Sequence, residues 1–508
     1  MVLLILFIIY VPIYIYVRKS EKAHEAGFVT WGPTIMIKTK WGLGMMDRIG
    51  SHRKLWNVFG AFSLFVSFLL MVTIVAILAI DISLLPEVIA SGTSMGIEYA
   101  LAIPGLNPML PLVYGIIGLI IAMVVHELAH GIQSRANDVK VKSSGILYGV
   151  VPLGAFVEPD EEDVEKSSRK AKLHLYAAGI TTNFVMALVL FTVMFASINF
   201  CVTSDYEDNP AIYAEAYDIG IPVSSIITMV DGNSIDDYSE FTSYLKANGT
   251  PQLDSYDVTY RTEDGTYTKS VELGVYVTTL VKNSPAHESG IPIGSYLLSM
   301  KPTSSSEPAT VIQIPTDFSE FMGSTAPGES IDVLYSYEGA EHTKTVVLGD
   351  KDGVGFFGAS VSLSGMSITT PEILLDTGTN PFYGRSTITE YALGIISFIG
   401  APFNGFSPVP ESCIWWYDCT IMDADVFWIL MYIIYWTFWL NLVLGVSNAL
   451  PAVPFDGGYL FRDGIDWILE KCGVYEVDKR QNLVNVFTNF TSYMMLFAML
   501  LVLVVIVL

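Results

Sequence analysis

"VVHELAHGIQ" (residues 124–133) sets two histidines and a glutamate inside one of the most apolar parts of the chain. Ionisable groups within a membrane-like helix are rare and costly, and by default they mark a functional site. The stretch also decides the fold, because it belongs to an apolar run, 109–131, long enough to cross a bilayer. Comparable runs occupy 2–17, 57–80, 172–198, 425–447 and 488–508, each near the ~17–25 residues that a spanning helix needs. Composition agrees: of 508 residues 52% are hydrophobic and 15% charged, with a mean hydropathy of +0.48. That is too apolar for an ordinary soluble protein. The reading is a polytopic α-helical membrane protein of about six transmembrane helices, with a long β-rich insert between the fourth and fifth. A shorter run, 392–406, is broken by Gly and Pro and reads as interfacial or re-entrant. The first run has basic residues only after it, Arg18 and Lys19, and no small-residue cleavage site. This favours a retained anchor over a cleaved signal peptide.

Basic residues set the expected orientation. Eight Lys and Arg lie between Arg18 and Lys54, and seven between Arg135 and Lys172. Both loops are therefore expected in the cytoplasm of a multi-pass cell-membrane protein, in contact with membrane lipids. The N-terminus, the C-terminus and the insert fall outside. The insert carries most of the net charge of −24: residues 199–420 hold 29 Asp and Glu against 8 Lys and Arg, a net of −21. Such a surface excludes nucleic acid as a partner and suits a solvated external domain. There Cys413 and Cys419 flank "IWWYD", where a disulfide is permitted; spacing alone does not establish the bridge.

The segment 27–50 reads as turns or a short hairpin at the membrane surface, and 145–159 as a second strand-like patch, followed by the acidic run "DEEDVE". Within the insert, "DIGIPVSSIITMVDG" (218–232) and "ESGIPIGSYLLSMKP" (288–302) align at an offset of 70. The repeat predicts two similar small β-rich modules. The expected divisions are 1–108, 109–198, 199–272, 273–350, a linker at 351–424, and 425–508. The stretch "GVYVTTLVKNSPAHESGIPIGSYLLSM" (274–300) resembles the PDZ family, and 209–241 resembles it less closely. PDZ-like domains bind extended peptides, so the resemblance implies peptide contact or steric filtering by the insert. The alternative is a pair of structural domains that shield the membrane face.

His126 and His130 stand at i and i+4, so a helix presents both on one face, as a single metal ion requires. In HExxH helices the glutamate, here Glu127, serves as general base. Zinc favours imidazole and carboxylate ligands. The remaining histidines, His24, His52, His174, His287 and His342, lie in loops, a helix start or the insert. A better third ligand is a carboxylate in "SNALPAVPFDGGYL" (447–460), where Asn448, two prolines and Asp-Gly interrupt an apolar helix. Irregular backbone at membrane depth is tolerated where it lines a protein cavity; taken alone, the stretch is a plain turn.

Together the two motifs resemble the site-2 protease family of intramembrane zinc metalloproteases. The family's N-x-x-P-x-P-x-x-D-G is matched by Asn448, Pro451, Asp456 and Gly457, with Pro454 displaced by one position. In "AAGITTNFVMA" (177–187), Gly179 and Asn183 match the family's Gly-Pro-x-x-Asn at the start of a core helix, while Ile180 replaces the proline. The resemblance implies Zn²⁺ held by His126, His130 and Asp456, with Glu127 as the catalytic base. Asn183 would hold the substrate or a developing oxyanion, and Asn448 would be a further substrate-binding residue. The implied substrates are membrane-spanning proteins cut within or near a transmembrane helix, as in regulated intramembrane proteolysis. The rival reading is a catalytically idle scaffold that presents PDZ-like domains, against which an intact Glu127 argues. A zinc transporter would need ligands along several helices, and the other runs supply almost none.

Overall fold

The computed structural model describes residues 2–91, 104, 105, 107, 108, 110–149, 152–250, 252–404 and 408–507. The chain forms two units, Met1–Ala196 with Ile429–Leu508, and Ser197–Trp428.

Helix α1 (Val2–Lys19) leads into a hairpin of β1 (Phe28–Trp31) and β2 (Thr34–Thr39). Two tyrosines of α1 hold the hairpin turn: the Tyr10 hydroxyl donates to the Pro33 carbonyl at 2.6 Å and the Tyr14 hydroxyl to Gly32 at 2.7 Å. The hairpin expected in 27–50 is present, but its second half is a helix, α2 (Leu43–Gly50). Left-handed Gly42 starts it, and Met46 is sealed against Ile132 and Val141. Helix α3 (Arg53–Ser91) extends well beyond the expected 57–80. Then come α4 (Leu112–Ala136), β3 (Val141–Tyr148) and β4 (Pro152–Pro159). The two strand-like patches form one antiparallel sheet in the order β1-β2-β3-β4, with Ile35 opposite Tyr148 and Ser144 opposite Val157. The acidic run after β4 is a short helix whose N-terminal amides, of Glu162 and Asp163, donate to the Asp160 carboxylate. Helix α5 (Arg169–Cys201) runs unbroken through Gly179 and Ile180. The helix expected over 172–198 thus begins at Arg169, well before Gly179; Ile180 keeps the N–H that a proline lacks, and the helix continues through it.

In the insert, β5 (Ala211–Glu215), β6 (Ile226–Val230), α6 (Tyr238–Asn248), β7 (Asp254–Thr262) and β8 (Gly265–Leu273) form the first module. The second contains β9 (Val275–Leu280), β10 (Tyr296–Pro302), α7 (Pro315–Gly323), β11 (Ser330–Tyr337) and β12 (Ala340–Val347). Each has its own core under its helix, with Ile221, Phe241 and Leu245 in one and Ile291, Phe318 and Phe321 in the other. The repeated Gly-Ile-Pro is explained by this: Gly220 and Gly290 take the same left-handed turn (φ +77° and +76°), and each delivers the next isoleucine into its core. Strands β13 (Ala359–Leu363) and β14 (Met366–Thr369) follow. They lie in the segment expected as linker, yet β13 pairs with β9 and β14 with β5, so one hairpin adds a strand to each module. The long sheet runs β8-β7-β6-β5-β14-β13-β9-β10-β11-β12. The apolar stretch near 392 is a 13-residue helix, Ile388–Gly400, too short to cross a bilayer. All four cysteines are free, so Cys413 and Cys419 form no bridge: Cys413 is buried in a 3-10 turn, while Cys419 sits on a strand paired with Val202–Thr203.

The chain ends in α8 (Ala424–Asn448), α9 (Asp456–Lys471) and α10 (Val477–Val507). Among the described residues five helices, α3, α4, α5, α8 and α10, are long and apolar enough to cross a membrane. The sixth expected span, 2–17, falls on α1, part of which lies outside the described side chains. The helices pack through Val66 and Leu70 of α3, Ala177 and Ile180 of α5, and Leu460 of α9. Outward they present Phe62, Phe65 and Phe68 on α3 and Phe490, Tyr493 and Phe497 on α10. Contiguous apolar faces of this kind are uncommon against water.

Candidate metal centre and active site

Helix α4 is apolar for most of its length and buries His126 and His130 on one face near its C-terminal end. The Nε2 atoms of the two rings lie 3.1 Å apart, and each is 3.1 Å from Oδ2 of Asp456. One hydrogen bond could satisfy a single pair of these atoms. Three acceptor-capable atoms converging mutually are instead what a shared cation satisfies. Donors bonded to tetrahedral zinc at about 2.0–2.1 Å are spaced about 3.3 Å apart, close to the triangle found. The far nitrogen of His130, Nδ1, donates to the Leu175 carbonyl at 2.8 Å. That bond fixes the tautomer and leaves Nε2 as the ligand atom. Two buried imidazoles and one half-buried carboxylate, convergent, fit a zinc ion and leave one coordination position open.

Close approach of backbone makes this geometry. A Cβ on Gly179 of α5 would lie 2.5 Å from His130 Nε2 and 2.7 Å from His126 Nε2, so the helix can touch both rings only because this residue is glycine. Asp456 comes from a different construction. Helix α8 stops at Asn448, the chain turns through 449–455, and Asp456 opens α9. The turn is tied to α10 by the Val453 amide, which donates to the Ser492 hydroxyl at 3.0 Å. Gly458 presses on the turn so closely that a Cβ would meet the Ala452 carbonyl carbon at 2.4 Å. The Asp-Gly-Gly sequence therefore folds α9 back onto the turn and aims the carboxylate at α4.

Glu127 is half-buried in the wall of an otherwise largely apolar cavity of about 190 Å³ between α4 and the four-stranded sheet, lined also by Met46, Val124, Ile146 and Phe156. Its Oε2 accepts a hydrogen bond from the Val157 amide of β4 at 2.8 Å. Asn183 is fully buried one helical turn beyond Gly179, and neither atom of its amide has a hydrogen-bond partner among the described residues. Gly445 of α8 lies against it. Asn448 stands apart: its amide nitrogen donates to the Leu444 carbonyl within its own helix at 3.0 Å. Sequence reasoning missed the Leu175 carbonyl and the Val157 amide. Both are backbone groups, which leave no mark in residue identity.

The family model described as Peptidase family M50 matches residues 114–495, a stretch that contains all of these residues. An uncharacterised protein of Methanocaldococcus jannaschii is 29% identical over 216 residues, covering 42% of this chain and 56% of that protein. A Clostridium perfringens protein named "Putative zinc metalloprotease" is 26% identical over 220 residues, covering 38% of this chain and 60% of its own length. The chain thus spans less than two thirds of the length of either relative.

Proposed function

This chain belongs to peptidase family M50, the site-2 protease family, and is a multi-pass membrane protein; from that premise we propose that it hydrolyses peptide bonds within or near the transmembrane helices of membrane-anchored proteins. The observation that carries the proposal is the convergence of His126, His130 and Asp456 beside Glu127 on an apolar helix. His126, His130 and Asp456 would hold the zinc, which when bound would supply Lewis acidity toward a water and a peptide carbonyl. Glu127 takes the water's proton and returns it to the leaving nitrogen. Its bond to Val157 places it at the outer edge of β4, the last strand of its sheet. A substrate helix that unwinds there can add as a further strand, which brings an extended peptide bond to Glu127. The idle amide of Asn183 is the donor for the developing oxyanion or the substrate backbone. Asn448, with one amide hydrogen given to Leu444, keeps its second amide hydrogen and its side-chain oxygen for substrate. The basic loops support a topology with the insert outside the cytoplasm and the catalytic cavity open toward the cytoplasm.

The test is zinc content together with cleavage of a membrane-anchored peptide, wild type against Glu127→Gln. One zinc per chain is expected in both, with the variant slower by at least about 10²-fold. Cleavage by the variant at the wild-type rate overturns the proposal.

A further inference from the structure

The two modules of the insert meet along an open cleft of about 660 Å³ that the proteolytic reading does not use. Strand alternation places it. Val271 and Leu273 of β8, and Val275 and Val277 of β9, point into the helix-covered cores. Glu272 and Tyr276, between them, therefore face the other side of the sheet, and both line the cleft. Tyr217 stacks on Tyr276 with ring centres 5.3 Å apart, and Tyr296 meets Tyr276 edge-on at 5.1 Å. Gly294 keeps the floor open, since a Cβ there would lie 3.3 Å from the Tyr276 hydroxyl and 3.7 Å from the Tyr337 ring. Glu338 and Glu341 complete the lining. Among the described residues no ion pair engages these carboxylates: the ion pair of the insert joins Lys246 to Asp317, and Arg261 and Lys351 stack on Tyr206 and Phe356.

We propose that this cleft binds an alkylammonium group, presented by a lysine side chain of an extended polypeptide. Aromatic faces attract an ammonium through the ring quadrupole, and three uncompensated carboxylates supply the opposite charge. The volume suits more than the ammonium alone, and the Ser336 hydroxyl with the backbone at Gly339 offers polar contacts to a peptide main chain. A free polyamine shares the ammonium chemistry, and the experiment separates the two.

The full-length protein in detergent is titrated into a labelled, end-blocked hexapeptide with two central lysines, at about 0.15 M salt to screen the general acidic field. Fluorescence anisotropy reads binding. Acetylation of both lysines should weaken it, and Tyr276→Leu and Glu272→Gln should each weaken it about tenfold, while Tyr276→Phe, which keeps the ring, stays within about twofold. Glu272 is exposed, so its variant reports even if Tyr276→Leu misfolds. Glu263→Gln, the same charge change at the turn between β7 and β8, should leave binding unaltered. The proposal is overturned by absent binding or equal binding of the acetylated peptide. It is overturned too by binding of spermidine without the peptide, or by equal losses from Glu263→Gln and Glu272→Gln.

Discussion

A single methyl group at Gly179 probes the metal centre from outside its ligand set. In Gly179→Ala the new Cβ would lie 2.5 Å from His130 Nε2 and 2.7 Å from Cε1 and Nε2 of His126. Optimal carbon contacts are about 3.5 Å or more, so one or both rings must retreat by roughly 0.8–1 Å. They have little room to do so. His130 is tied through Nδ1 to Leu175, on the same helix as Gly179, and the two histidines are only 6% and 8% exposed. Ligand distances at a metal tolerate about ±0.2 Å, several times less than the forced shift. Helix propensity acts in the opposite direction, since alanine in place of glycine inside a helix favours the fold by about 0.5–1 kcal/mol. The two effects separate by readout. Zinc affinity, measured by competition with a chromogenic chelator, should fall at least as far as the about 10–100-fold seen when a ligand's supporting contacts are lost. Peptide cleavage should fall with it, while helical content by circular dichroism is kept. Gly464 is the control: it lies inside α9 with nothing within 4 Å of an added Cβ, so Gly464→Ala should leave zinc and cleavage unchanged. Wild-type zinc affinity and cleavage in Gly179→Ala would refute the reasoning.

Three further outcomes are expected. Asp456→Ala should lose zinc and cleavage together, because it removes one of three donors; full zinc occupancy by metal analysis would strike Asp456 from the ligand set. In intact cells, an impermeant thiol reagent should label a cysteine introduced near Gly249 and not one near Ser168, and the reverse pattern would invert the topology. At the four-stranded sheet, burial pushes the Glu158 carboxyl up, but Lys38 at 2.8 Å and the Ser143 hydroxyl outweigh it and hold the group below its ordinary 4.5. A carboxyl depressed in the folded state stabilises above its unfolded pKa and loses that contribution as pH falls through the folded value. The melting temperature of the wild type should therefore drop more steeply below about pH 4.5 than that of Glu158→Gln; parallel curves would show that the pair contributes nothing.

What the sequence made legible was local. Apolar runs announced α3, α4, α5, α8 and α10 because hydropathy needs no knowledge of neighbours, and the i, i+4 spacing put His126 and His130 on one face for the same reason. Helix α2 escaped because its eight residues depend on Met46 finding Ile132 and Val141. The hairpin of β13 and β14 escaped because each strand's partner lies about 80 or 150 residues upstream, and short strands without their partners carry little pattern. The third proposed ligand is the clearest case. Asp456 lies 326 residues from His130, and what pointed to it was the interruption of an apolar helix around it together with the resemblance in its flanking residues. What brings it in is steric: glycines at 179 and 458 remove the side chains that would hold two helices and a turn apart. Burying His126, Glu127 and His130 in an apolar helix carries a large desolvation cost. Glu127 is answered by an amide at position 157 and His130 by a carbonyl at 175, while both histidines face a carboxylate at 456. The only polar atom of the three side chains left buried without a partner among the described residues is Nδ1 of His126. A motif that looks untenable within its own helix becomes tenable through three remote segments. The Leu175 carbonyl and the Asp456 carboxylate leave Nε2 of both rings directed at one spot, where a metal ion would complete the compensation.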